Sequence, residues 1–207
     1  MTTQPKRLTL LRQCDSMKEF FTLAYLFIPL LFGLALHGFC IKYDLLSFLY
    51  YPIDRGRKFR GKRIFGENKT YRGLVVVSLG TAIGFGLQAL LLHRIASIRS
   101  VELFDYAFFK SVALGLAVGV AAMLSELPNS FIKRQFEIAP GTAAKGWKAL
   151  VFYVYDQIDF MLGAWLALAI VVPVTIGRVL LSAGFLLVAH QIMSSVGYAL
   201  GMRKTAR

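Results

Sequence analysis

The sequence predicts an all-α integral membrane protein with about five transmembrane helices and two basic cytoplasmic loops that form a site. Three observations support this. First, 57% of the residues are hydrophobic and 17% are charged, whereas soluble domains carry about 25% charged residues. Second, the mean hydropathy is +0.59. Third, the net charge is +13, with the basic residues concentrated between apolar runs. This composition excludes a disordered chain, a collagen, a coiled coil and a disulfide scaffold.

Five apolar runs approach or exceed the length of about 20 residues that a spanning helix needs. They are interpreted as one domain, 1–207, with spans at about 20–41, 74–92, 107–124, 149–177 and 179–200. The third run is rich in small residues such as Gly115 and Gly119, which would let it pack closely. Lys110 is near its start and could snorkel to the interface.

The fourth run is too long for a perpendicular span. At about 1.5 Å per residue it would measure roughly 43 Å, against a hydrocarbon core of about 30 Å. We therefore expect Pro173 to kink its far end, and its near end to protrude or to be covered by protein.

The charge of the connecting segments predicts the orientation. Residues 42–73, residues 125–148 and the tail after residue 200 hold 16 of the 24 basic residues. The positive-inside rule places these segments in the cytoplasm. We therefore expect a multi-pass protein of the cell membrane, with its site facing the cytoplasm.

The first basic loop has the composition of a phosphate-binding segment. Eight of residues 51–73 are Lys or Arg and four are Gly, and exposed backbone N–H groups in glycine turns favour anions. Lys69, Thr70, Arg72 and Gly73 lead directly into the second span, where a nucleotide phosphate could lie against the helix start. The alternative is a solvated basic loop that contacts lipid headgroups.

The second loop carries a smaller cluster of the same kind. If Pro128 or Asn129 begins a short helix, Ser130, Lys133 and Arg134 share one face. A hydroxyl beside two cations suits a phosphate, and the nearby Glu126 could serve a metal. The alternative is a cationic pair at the membrane interface.

Asp156 and Asp159 are the strongest single indication of function. They lie about one turn apart in an apolar segment, where ionisable residues are costly and mark function. A divalent cation, Mg²⁺ shared with substrate phosphates, would neutralise both acids. A salt bridge to loop cations and an ion-transport pathway are the alternatives, although no inverted repeat supports transport. In contrast, His37, His93 and His190 show no partner pattern and are interpreted as structural.

These motifs together resemble the CDP-archaeol synthase group of the CDP-diglyceride synthetase superfamily. The resemblance rests on Gly-Lys-Arg-x3-Glu-Asn-Lys-Thr-Tyr-Arg-Gly over residues 61–73, Ser-x2-Lys-Arg over 130–134, Pro-Gly at 140–141 and Asp-x2-Asp over 156–159. It implies a cytidylyltransferase that joins CTP to a lipid monophosphate, either an archaeol-type ether phosphate or a phosphatidate-like lipid. The products would be a CDP-lipid for phospholipid biosynthesis and pyrophosphate.

The resemblance also implies roles for individual residues. Lys133, Asp156 and Asp159 would be catalytic, and both aspartates would bind Mg²⁺. Glu126, from its place in the second loop, is a further candidate ligand of that ion. The nucleotide phosphates would be bound by Lys69, Thr70, Arg72, Gly73, Ser130, Lys133 and Arg134. We expect CTP, a lipid monophosphate and membrane lipid as partners and no nucleic acid. A homodimer is compatible with the sequence.

The chain departs from the family pattern at the start of the second motif. Ser125-Glu126 stands where the family commonly has Gly-Asp, and Asn129 stands where an acid is frequent. Glu126 can still bind Mg²⁺, but its longer side chain shifts the geometry. One alternative is therefore a catalytically altered member that binds anionic lipid or nucleotide. Another, from the acidic pair, is a small ion-coupled transporter that uses Asp156 and Asp159 as an ion relay.

Overall fold

The computed structural model describes residues 4–95, 102–140, 142 and 146–199, without the side chains of 4–14, 93, 148 and 157. The described chain is nearly all helical, as predicted. Its α-helices are α1 (Gln4–Lys42), α2 (Tyr71–Arg94), α3 (Phe108–Gln135), α4 (Trp147–Leu168) and α5 (Ile176–Ala199). A hairpin of β1 (Lys58–Phe59) and β2 (Lys62–Arg63) lies between α1 and α2. The His93 side chain, Gly141 and residues beyond 199, on which sequence interpretations were also made, lie outside the described part.

Four segments are long and apolar enough to cross a membrane. They are Asp15–Lys42, Tyr71–Leu92, Phe108–Gln135 and Ile176–Ala199. The chain is therefore an integral membrane protein. Helix α4 is also largely apolar and carries Asp156 and Asp159 into the bundle.

Small residues allow α2 and α3 to pack closely, as the sequence predicts. A Cβ atom on Gly115 would lie 2.8 Å from the Cα of Ala82, and one on Gly119 would lie 2.5 Å from the Cα of Ser78. Such distances leave no room for a side chain, so the backbones of the two helices are in contact. Lys110 lies in the first turn of α3 and pairs with Asp105 at 2.9 Å, exposed as expected for a residue near a helix end.

The predicted fourth span, 149–177, is wrong in its boundaries, because the run is broken after Leu168. The N–H groups of Val171 and Val172 both donate hydrogen bonds to the Leu168 carbonyl, which closes a turn. Pro173 has no N–H group and cannot continue the helical hydrogen bonding. Helix α5 then begins with Thr175 accepting a hydrogen bond from the Arg178 N–H at 3.3 Å, an N-terminal cap. Instead of a kinked span, residues 149–177 contain a helix, a turn and the start of α5.

The predicted helix start at Pro128 or Asn129 is also wrong. Helix α3 continues through Pro128 to Gln135. Proline removes one backbone hydrogen bond, but the packing of α3 against α2 and α4 supports the helix on both sides of that position. The expected helical spacing of Ser130, Lys133 and Arg134 remains, on the last turns of a long helix.

Candidate active site

A cavity of about 1220 Å³ opens where the last turns of α3, the first half of α4 and the second half of α5 meet the loop between α1 and α2. It brings together residues from both predicted loops and from the predicted acidic pair. The sequence-predicted residues that line it are Lys69, Glu126, Ser130, Lys133, Arg134, Asp156 and Asp159. Residues up to 90 positions apart in the chain therefore share one site.

Asn129 connects the two aspartates. Its Nδ2 donates to Asp156 Oδ1 at 2.6 Å and to Asp159 Oδ2 at 2.8 Å. Asp159 is buried and also accepts the N–H of Phe160 at 2.7 Å, whereas the Asp156 side chain is 43% exposed. One amide therefore fixes both carboxylates on the cavity wall, with Asp156 nearer to solvent.

The cations of the site are matched with acids from other elements. Lys133 on α3 forms an ion pair with Asp156 on α4, and Lys69 in the loop forms one with Glu126 on α3. Arg134 is different, since its Nε and Nη1 atoms are buried and make no hydrogen bond within the described structure. A buried guanidinium with unsatisfied donors is costly, and a phosphate oxygen would satisfy it.

The oxygen ligands in the cavity would suit a magnesium ion that also binds substrate phosphates. In the described part of the chain, no group of three or more His, Cys, Asp and Glu side chains is placed to hold a metal. Mg²⁺, however, is usually bound by one or two carboxylates plus substrate phosphates. Asp156 and Asp159 would supply the carboxylates, and the buried Oδ1 of Asn129 has no hydrogen-bond partner in the described structure. Glu126, which the sequence suggested as a further ligand, is engaged by Lys69.

Three predicted phosphate-binding residues do not line the cavity and instead hold the loop to the bundle. Thr70 caps α2 by accepting the Gly73 N–H at 3.2 Å. Arg72 is buried, pairs with Asp44 at 2.9 Å, and lies over the ring of Tyr50 with its guanidinium carbon 4.7 Å from the centroid. Their contribution to phosphate binding remains a prediction, while these contacts explain how Lys69 is held at the cavity.

Asp54 organises the basic loop, and the sequence analysis did not identify it. Its side chain is fully buried and accepts two hydrogen bonds from Arg63, at 2.7 and 3.3 Å. It also accepts the N–H groups of Gly56, Phe65 and Gly66 at 2.9 to 3.0 Å. Burial raises the pKa of Asp54, but these hydrogen bonds outweigh it and hold the pKa well below its ordinary value. The local signal was the spacing Asp54-x-Gly56, typical of an Asx turn.

The loop hairpin packs on the end of α3, and the loop residues that follow it, Phe65, Asn68 and Lys69, line the cavity. Phe59 contacts Phe131, with ring centroids 5.7 Å apart, and Lys62 pairs with Glu137 at 3.0 Å. The hairpin turns at Arg60-Gly61, where both residues have positive φ, as a type I′ turn requires. Gly66 has a φ of +99°, and a Cβ there would lie 3.1 Å from Pro140. Glycine thus allows the loop to reach Arg134 and Pro140.

Further polar residues of the cavity were also missed. Asn68 lies within the first motif, beside Lys69, while Tyr153 precedes the acidic pair by one helical turn. His190, Gln191 and Ser194 come from α5; the structural interpretation of His190 stays a prediction, and its ring lies 6.4 Å from that of Phe160. No local pattern marks these α5 residues, because only the folding of α5 against α4 places them at the site.

Comparison with known proteins identifies the family. The sequence model of the CarS-like family, described as CDP-archaeol synthase, matches residues 49–206. The chain belongs to the CDP-archaeol synthase family. The CDP-archaeol synthase of Halobacterium salinarum is 33% identical over 159 residues, covering 73% of this chain and 81% of the relative. That of Halorubrum lacusprofundi is 35% identical over 163 residues, with the same two coverages.

Family membership confirms the resemblance found in the motifs and makes the chain a cytidylyltransferase enzyme. A solved structure of an intramembrane enzyme for archaeal membrane lipid biosynthesis has the same fold, with a TM-score of 0.58 and 21% identity. The match covers 81% of this chain and 89% of the other. The helical bundle of this CDP-archaeol synthase family member, with four helices that are long and apolar enough to cross a membrane among those described, therefore has the fold of that enzyme.

Proposed function

We propose that the chain transfers the cytidylyl group of CTP to an archaeol-type ether lipid monophosphate. A phosphate oxygen of the lipid attacks the α-phosphorus of CTP. The bond from that phosphorus to the oxygen bridging the α- and β-phosphates then breaks, and the electron pair leaves with pyrophosphate. The product is a CDP-activated lipid for phospholipid biosynthesis. The relatives named CDP-archaeol synthase support the ether lipid over a phosphatidate-like substrate.

The observation that carries this proposal is the meeting of cations and acids at one end of an apolar bundle. Lys69, Lys133 and Arg134 line the same cavity as Asp156 and Asp159. Phosphoryl-type transfer depends mainly on positioning and charge stabilisation, and these side chains supply both without a covalent intermediate. Ser130, buried at the cavity wall, would donate a hydrogen bond from its hydroxyl group to a phosphate oxygen.

Each group has a distinct role in the proposed reaction. The ammonium and guanidinium groups of Lys133 and Arg134 bind the CTP phosphates and stabilise charge on the leaving group. Asp156 and Asp159 would hold Mg²⁺, which supplies charge neutralisation at the phosphates when bound. Asn129 keeps the two carboxylates in place for that ion, and the Thr70 cap with the Arg72 contacts keeps Lys69 at the cavity.

The membrane context follows the distribution of basic residues. The loop from residue 42 to residue 73 and the end of α3 lie at the cavity end of the bundle and belong to the more basic set of segments. We therefore propose that the site faces the cytoplasm, where CTP is available, in the cell membrane.

A direct assay tests the reaction. The purified protein is incubated in detergent with labelled CTP, Mg²⁺ and a panel of lipid phosphates that includes an archaeol-type ether phosphate and phosphatidate. We expect a CDP-lipid, with the ether lipid preferred. Asp159→Asn should abolish turnover, while Asp105→Asn, at the other end of the bundle, should not. Formation of product only from phosphatidate would correct the lipid assignment.

One observation favours a second candidate function. Glu126, which departs from the family pattern, engages Lys69 across the cavity, so a catalytically altered member could bind CTP or anionic lipid without turnover. CTP binding by the purified protein, without product from any lipid of the panel, would support this candidate. Glu126→Asp should then restore turnover, because it returns the shorter acid at that position.

A further inference from the structure

A second cavity lies at the base of the basic loop, apart from the active-site cavity. It measures about 490 Å³ and is lined by Tyr51, Pro52, Arg55 and Tyr71. None of these four residues lines the active-site cavity. Tyr71 is the first residue of a segment that is long and apolar enough to cross a membrane. The second cavity is therefore placed where a spanning helix leaves the hydrocarbon, at the level of the lipid headgroups.

Backbone hydrogen bonds hold this cavity against the start of α2. The Tyr71 N–H donates to the Tyr51 carbonyl at 3.0 Å. The Arg55 N–H donates to the Pro52 carbonyl at 2.9 Å, which closes a turn. The guanidinium carbon of Arg55 lies 6.0 Å from the ring centroid of Tyr71. Two separate parts of the basic loop thus place a cation and two tyrosines around one space.

The positive charge around this cavity is not neutralised by nearby acids. Five exposed basic side chains of residues 42–60 make no ion pair within the described structure, and they are Lys42, Arg55, Arg57, Lys58 and Arg60. The two acids of the same stretch, Asp44 and Asp54, each pair with a different arginine outside it. This surface therefore attracts anions. In the cavity, the Arg55 guanidinium and two tyrosine hydroxyls are suitable donors to phosphate oxygens.

Exposed apolar side chains come directly before the cavity in the chain. Leu45, Leu46 and Phe48 are 44%, 41% and 69% exposed, although they follow a spanning helix by only a few residues. Aromatic and apolar side chains beside Lys and Arg are typical of the membrane interface, where anionic headgroups meet hydrocarbon. A soluble phosphate would use the cation and the hydroxyls alone, whereas a phospholipid would also cover the apolar side chains.

We propose that the second cavity binds the phosphodiester headgroup of an anionic phospholipid from the surrounding bilayer. Arg55 pairs with the phosphate, and the hydroxyls of Tyr51 and Tyr71 donate hydrogen bonds to it. The Ile53 N–H donates to the Lys69 carbonyl at 2.8 Å, so a lipid bound here also steadies the loop that carries Lys69 to the active site. This binding requires neither CTP nor the reaction proposed above.

Two neighbouring arginines provide a matched test. The purified protein in a neutral detergent is titrated with phosphatidylglycerol, and native mass spectrometry measures the fraction that holds one lipid. Arg55→Gln should weaken binding about tenfold, as expected for the loss of a hydrogen-bonded ion pair. Arg57→Gln removes the same charge from an exposed residue outside the cavity and should have little effect. Tyr51→Phe should weaken binding about threefold, whereas Tyr50→Phe should not.

The controls distinguish the lipid from other ligands and the cavity from other sites. Phosphatidylcholine should bind about tenfold more weakly than phosphatidylglycerol, because the basic surface favours net negative charge. Equal binding of the two lipids, or equal losses in Arg55→Gln and Arg57→Gln, would overturn the site. Displacement by glycerophosphoglycerol, the same headgroup without its chains, would make the ligand a soluble anion. A loss of binding in Arg134→Gln would place the lipid in the active-site cavity instead. Melting temperatures confirm that each variant folds.

Discussion

Replacing Asp54 with asparagine should loosen the fold of the basic loop. The Asp54 carboxylate accepts five hydrogen bonds, two from Arg63 and three from backbone N–H groups, in a fully buried position. Asparagine keeps one acceptor oxygen, but it removes the charge and presents an NH₂ group where an acceptor is needed. The backbone N–H groups of Phe65 and Gly66 then compete for fewer lone pairs.

The expected cost is moderate. Breaking a buried ion pair by removing one partner costs about 3–5 kcal/mol, but the Arg63 side chain is 27% exposed and can regain water. We therefore expect about 2 kcal/mol of lost loop stability, near the value for one or two hydrogen bonds to a charged group. That corresponds to roughly a 30-fold larger open population. The bundle itself should be little affected, because its core lies elsewhere.

Limited proteolysis measures the open population. Trypsin cuts after Arg55, Arg57 and Lys58 when the loop opens, and the cleavage rate follows that population when reclosing is fast. Asp54→Asn should be cut roughly 30-fold faster. Glu67→Gln is the matched control, since Glu67 also pairs with Arg63, at 3.5 Å, but is 74% exposed. Equal cleavage of the two variants would refute the role given to Asp54.

The same residue predicts a pH dependence. The pKa of Asp54 is lower in the folded protein than its ordinary value, so the unfolded loop binds a proton first as the pH falls. The stabilisation is complete above the unfolded pKa of about 3.9 and is lost as the pH falls below it. The loop is digested briefly at each pH with a protease that is active in acid. The fraction of protein that resists cleavage should fall below about pH 4. In Asp54→Asn this dependence should be absent.

Three other substitutions test the packing and the site. Lys133→Ala should raise the KM for CTP about tenfold, and a normal CTP dependence would show that Lys133 serves only to pair with Asp156. Gly119→Ala should lower the free energy of unfolding by about 1–3 kcal/mol. Gly184→Ala should be tolerated, because a Cβ there meets nothing within 4 Å. Equal melting temperatures for the two variants would contradict the close contact of α2 and α3. Thr70→Val should cost about 1 kcal/mol of stability through the lost helix cap, while Thr70→Ser should not. If Thr70→Val instead weakens CTP binding at full stability, Thr70 binds phosphate directly.

Most of what the sequence predicted about the fold came from its apolar runs. Long hydrophobic segments and the small residues Gly115 and Gly119 report directly on membrane helices and their contacts. The breaks between helices were harder, because proline has opposite outcomes at two positions. Pro128 stays within α3, whose neighbours support it, whereas Pro173 is followed by a new cap at Thr175. Tertiary packing decides between these outcomes, and a single sequence does not contain it.

The functional site shows the same contrast between residues that the sequence predicts and residues that only tertiary packing places. Charged residues in a membrane protein are rare enough to be noticed, so Lys69, Lys133, Arg134, Asp156 and Asp159 were identified from the sequence and share one cavity. The backbone contacts of Thr70 and the loop contacts of Arg72 were not predictable, since the same residue types bind phosphates in other settings. The polar residues of α5 could not be found at all, because their identities are ordinary and only the fold places them at the cavity.

The two ion pairs across the cavity have a consequence for how ligands bind. Lys133 with Asp156 and Lys69 with Glu126 balance positive and negative charge across the cavity, which limits the cost of charge near the membrane. In the proposed reaction, a phosphate that pairs with Lys133 would leave Asp156 available to a divalent cation, and a cation bound to Asp156 would leave Lys133 available to a phosphate. Binding of one ligand would therefore favour binding of the other by the same factor. The affinity for Mg²⁺ should then rise with CTP concentration.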